Sequence, residues 1–220
     1  MRWENVKALG AGALAASVAL GVAFAPRSST QLPYEHRASS RWGEIVKDGK
    51  AKTPVVVAEF HGESGLEPPF KEAVENSFSE LDRTSCGLVK MTVKWDFEPT
   101  QHGMLRAILR GDNVVMSVNS PVFKAAFDEE DGELLGLTQA AGAKWVFLVT
   151  DRIDDPETAD WVAAHEFGHA IGLEHVDLGQ MQANAPQFPY PAAEWGSDDL
   201  REFCRVWSCD VAMFDDCRER

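Results

Sequence analysis

Residues 165–175 read HEFGHAIGLEH, with histidines at offsets 0, 4 and 10, a glutamate at 1 and a glycine at 7. On a helix, positions i and i+4 stand one above the other, so His165 and His169 point the same way and can share one cation. Glu166 is turned about 100° from His165, near enough to act on a ligand of that cation without being one itself. Gly172 can take the left-handed conformation that ends a helix and turns the chain back. His175, three residues later, then returns with a third imidazole. Three histidines leave one position of a tetrahedral zinc open, which is a catalytic and not a closed structural arrangement. The chemistry implied is hydrolysis. Zinc acidifies a water and polarises a carbonyl, while Glu166 as general base takes the proton and hands it to the leaving group.

The elements around this motif must hold it in place. Asp155, Pro156 and Glu157 are good helix-start chemistry for the segment carrying the histidines. Ala163, Phe167, Ala170, Ile171 and Glu174 fall on one side of that helix; Trp161, His165, His169 and Gly172 fall on the other. Upstream, the β-branched run PVVVAEF (54–60) predicts a strand. Phe70, Val74, Phe78 and Leu81 recur at helical spacing and predict an amphipathic helix. LVKMTVKWDF (88–97) alternates, with Val89, Met91, Val93, Trp95 and Phe97 on one face, so it predicts a half-buried strand. NVVMSVN (113–119) and KWVFLVTD (144–151) predict two more strands, and the shorter, more polar LLGLTQ (134–139) an edge strand. GSDDLREFCRVW (196–207) starts with Ser–Asp and predicts a short closing helix. The expected fold is α+β, a twisted mixed sheet with two main helices on one face.

The chain has 220 residues, enough for one domain of about 54–220 with extensions. A net charge of −14 argues against a nucleic-acid partner. Residues 8–25 carry no charge, follow a weakly basic lead and end in Ala-Phe-Ala, so residues 1–25 have the layout of an export signal. As a helix the run would reach about 27 Å, so membrane attachment through residues 8–25 stays open beside cleavage. Both readings send the rest of the chain out of the cytoplasm, secreted or anchored. Residues 26–53 are polar and read as a linker or short pro-segment. Four cysteines, Cys86, Cys204, Cys209 and Cys217, fit export as two disulfides, with three connectivities open. If Cys86 is paired, its partner lies in the tail.

The 11-residue stretch resembles the active-site helix of the metzincin zinc proteases, and within them the matrixin branch, the matrix-metalloprotease type. Residues 134–151 and 197–207 are similar to the strands before that helix and the closing helix after it. The resemblance spans about residues 54–207 and implies a zincin fold with an active-site helix and a C-terminal helix. It implies one catalytic zinc on His165, His169 and His175, with Glu166 as the base. Met181, with Met213 as a remote second choice, is the candidate for the methionine in a tight turn beneath the metal. The surrounding MQANAP differs from the usual matrixin wording. Substrate would add a strand along Leu135, Gly136 and Leu137. Phe188, Pro189 and Tyr190 are similar to a pocket wall without matching it. His36, His61 and His102 are isolated and read as surface residues, and no clear motif supports calcium. The function implied is a metalloendopeptidase hydrolysing protein or peptide substrates. The alternative is a catalytically silent protease-fold module that binds peptide; retention of Glu166 argues against it.

Overall fold

The computed structural model describes residues 46–47, 50–51, 54, 56–127, 134–141, 143–182, 195–207, 209 and 211–214. The export segment 1–25, most of the linker, Phe188, Pro189, Tyr190, Cys217 and His36 lie outside the described residues. The side chain of Met213 does so too.

A short pair, β1 (Val46–Lys47) and β2 (Lys50–Ala51), precedes the main sheet. That sheet has five strands: β3 (Val56–Glu63), β4 (Val89–Phe97), β5 (Asn113–Val118), β6 (Gly136–Ala141) and β7 (Ala143–Val149). Their spatial order is β4-β3-β5-β7-β6. All neighbours are parallel except β6, which runs antiparallel to β7 at one end. The edge position expected for 134–139 is therefore the observed one.

Among the described residues there are five α-helices: α1 (Pro68–Thr84), α2 (Gln101–Arg110), α3 (Ser120–Phe127), α4 (Pro156–Ala170) and α5 (Ser197–Trp207). None is long and apolar enough to cross a membrane. The helix starts follow capping chemistry. Asp155 accepts from the Thr158 N–H at 2.8 Å at the head of α4, and Thr100 accepts from the Gly103 N–H at 3.1 Å at the head of α2.

Both faces of the central strands are buried, as near-continuous apolar runs in parallel strands require. Val115, Val146 and Leu148 face a core shared with α1 and α4, where Phe60, Phe78 and Phe167 meet with ring centroids 4.6–5.7 Å apart. Val114, Met116, Val118, Phe147 and Val149 face a second core with Met104 and Ala107 of α2 and Phe123 of α3. The two long helices thus share one face as expected, while two short helices cover part of the other. Residues 101–110 escape an amphipathic reading because Leu105, Ile108 and Leu109 point outward, at 48, 36 and 77% exposure.

One strand reading needs correction. Phe97 does not join Val89, Met91, Val93 and Trp95 but lies in the second core. The β3–β4 register shifts between His61 and Glu63, and a one-residue slip sends the next side chain to the opposite face.

Cys204 and Cys209 form a disulfide that closes the end of α5, and Cys86 is disulfide-bonded as well.

Candidate metal centre

α4 turns His165 and His169 toward the segment that follows it, and Glu166 toward β6. The helix ends at Ala170, and Gly172 at φ +93° turns the chain back. Leu173 donates its N–H to the Gly168 carbonyl at 3.0 Å, which completes the turn. His175 then comes back beside the first two rings. Its Nε2 lies 3.2 Å from that of His169, which in turn lies 3.1 Å from the Nε2 of His165. One ring nitrogen of each histidine lies within 4.8 Å of the other two, and among the described residues this is the one such group able to hold a metal ion.

The far side of each ring fixes its tautomer. His165 Nδ1 meets the Gln180 carbonyl at 2.9 Å and His169 Nδ1 meets the Leu173 carbonyl at 2.8 Å. A carbonyl can only accept, so both Nδ1 atoms carry the proton and both Nε2 atoms present lone pairs. Burial keeps these rings neutral: it lowers His165 to about 4 and pushes His169 below its ordinary value. Lone pairs facing each other at 3.1 Å are unfavourable unless a cation sits between them. Three nitrogens ligating one tetrahedral zinc at its usual bond length lie about 3.3 Å apart. The residues present fit a metal ion.

The segment 176–182 closes the site from below. Val176 donates to the Met181 carbonyl at 2.9 Å, and Gly179 turns at φ +126°. A Cβ on Gly179 would fall 2.3 Å from the Asp199 carboxylate, so no other residue fits there. Met181 is fully buried against Gly168, where an added Cβ would lie 2.2 Å from its sulfur. It therefore sits beneath the helix at the level of the histidines, in a turn.

Asp199 of α5, also fully buried, holds this turn by accepting from the N–H groups of Gln180 (2.9 Å), Met181 (2.8 Å) and Gly196 (2.6 Å). Burial raises its pKa and the three donors oppose the rise. Gln180 in turn donates to the Trp161 carbonyl at 2.7 Å.

Glu166 is buried beside the edge strand. Its Oε2 lies 2.8 Å from the Thr138 hydroxyl, which also lies 2.7 Å from the Glu166 carbonyl. Burial pushes the carboxyl up to about 7, against the pull of the Thr138 hydrogen bond. Gly136 allows the close approach of strand and carboxylate, since a Cβ there would lie 2.9 Å from Oε1. Leu135 and Leu137, on either side, turn to the first and second cores respectively. β6 ends the sheet, so its outer edge has no strand partner among the described residues.

Thr138, Gln180 and Asp199 were invisible to spacing arguments. Asp199 reads locally as a helix-start residue, and only the folded chain brings the three to the motif. His61 pairs with Asp96 at 2.8 Å, and His102 is exposed; neither joins the metal group.

Residues 153–220 match the family described as Peptidase M66. The matched segment begins just before α4 and includes the three histidines, Met181 and α5. The match supports a metallopeptidase and is not specific to the matrix-metalloprotease type. No curated protein matches the chain.

Proposed function

We propose that the chain is a zinc-dependent metalloendopeptidase of the metzincin type, matrixin-like around its motif, acting on proteins outside the cytoplasm. The observation that carries this is the convergence of three histidine nitrogens, two of them on a helix that also carries a buried carboxylate at its next position. His165, His169 and His175 would hold the zinc, which when bound would supply a Lewis acid for the scissile carbonyl and acidify water. Glu166 accepts a proton from the attacking water and returns it to the leaving amine. Burial raises the basicity of that carboxylate, which suits a proton acceptor. Thr138 fixes the carboxylate by donating to Oε2. The outer edge of β6, which has no strand partner among the described residues, suits an extended peptide lying antiparallel to it. Met181 takes the part of the methionine turn. Support for export comes from the uncharged run 8–25 and from cysteines that are disulfide-bonded, as oxidising compartments favour.

Recognition along a strand edge needs no free terminus. Peptides blocked at both ends should therefore be cut internally by the purified, zinc-loaded protein, as read by mass spectrometry of a peptide library. Cleavage confined to peptides with a free end would contradict the endopeptidase reading. Tight binding of the library with no cleavage at all would favour the silent binding module.

A further inference from the structure

The third histidine differs from the other two in how it is held. His165 and His169 ride on α4, and each is fixed through Nδ1 by a carbonyl. His175 lies beyond the Gly172 turn, and among the described residues its ring has no hydrogen-bonding partner except His169. Its backbone is held on both sides. Two bonds flank it. On one side Val176 donates to the Met181 carbonyl at 2.9 Å; on the other Glu174 donates its N–H to Oε1 of Glu202 at 3.0 Å.

Glu202 belongs to α5, 28 residues further along the chain, and is only 9% exposed. Arg205 fixes its carboxylate with Nε on Oε2 and Nη2 on Oε1, both at 2.6 Å. The same Nη2 reaches the Glu174 carboxylate at 3.1 Å. α5 is itself tied down, by Trp207 donating to the Ile171 carbonyl at 3.2 Å and by the Cys204–Cys209 disulfide. A partly buried carboxylate with a bidentate guanidinium partner is a rigid acceptor, and here it clamps the residue before the metal ligand.

We propose that Glu202, oriented by Arg205, is a positioning residue for His175 and sets the zinc affinity of the site through the Glu174 main chain. This rests on the metal reading above. Outer partners that orient a ligand typically change metal affinity by about 10- to 100-fold when removed.

The test is zinc affinity of the full chain, measured by competition with a chromophoric chelator, in a double-mutant cycle. Glu202→Ala should weaken zinc by about 10- to 100-fold. Glu202→Gln, whose amide oxygen can still accept from Glu174, should restore most of the loss. In an Arg205→Ala background, which keeps all three histidines but releases the Glu202 carboxylate, Glu202→Ala should cost far less, because the acceptor is already loose. An equal loss in both backgrounds, or no loss in the wild-type background, overturns the proposal. Should Glu202→Ala fail to fold, Glu202→Asp, which keeps the charge but retracts it from Glu174, is read in the same two backgrounds against the same outcomes. A wild type that takes up no zinc overturns the metal reading itself and this inference with it.

Discussion

Glu166→Gln should lower peptide hydrolysis by about 100- to 10,000-fold, the usual worth of a positioned general base, while zinc content stays at the wild-type level. Glutamine matches glutamate in size and nearly in helix propensity, so α4 is undisturbed. The three imidazoles and their carbonyl partners are untouched by the change. Thr138 keeps an oxygen to bond at the same place. Burial of a neutral amide is also easier than burial of a carboxylate already raised to about 7, so the variant should be at least as stable as the parent. Only the proton acceptor is lost. Turnover of a fluorogenic peptide, metal content and thermal melting of the same preparation check the three parts together. Wild-type turnover in the variant would remove Glu166 from the mechanism.

His169→Ala should abolish metal binding and hydrolysis together. Its Nε2 is the middle one, 3.1 Å from His165 and 3.2 Å from His175, so its removal leaves two nitrogens with a gap between them. Two imidazoles cannot complete the three-ligand set that holds a catalytic zinc. The variant also leaves the Leu173 carbonyl without its ring donor, which loosens the turn leading to His175. Metal analysis after dialysis should find essentially no zinc, and activity should fall to that of chelated wild type. Retention of a full equivalent would mean that the cation is held elsewhere.

How much of this was legible beforehand follows from the range of the interactions involved. The motif on α4 is local: i and i+4 share a face whatever surrounds them, and Gly172 does take the positive φ that its place demanded. The strands at β3, β4, β5 and β7 announce themselves through β-branched runs, and the polarity of 134–139 marks an edge. α2 and α3 did not show. The first points three large apolar residues outward and buries Gly103, Met104 and Ala107 instead, while the second is eight residues long. The slip that moves Phe97 across the sheet depends on its pairing with β3, which no alternation reveals. Around the site, Thr138, Gln180, Asp199 and Glu202 act through contacts 15 to 28 residues distant. Each has an innocent local reading as a strand, loop or helix residue. Spacing identified the three histidines that could hold a metal ion; it could not identify the groups that hold them.

If one metal ion on His165, His169 and His175 makes this chain a peptidase, activity and metal content must rise and fall together. The most direct test is hydrolysis of casein by the purified protein before chelation, after removal of metal, and after return of a single equivalent of zinc. Cleavage is expected at first, followed by its loss with the metal and its recovery at close to one zinc per chain. Cleavage that persists in demonstrably metal-free protein would contradict this, as would a zinc-replete protein that cleaves neither casein nor any peptide of the library.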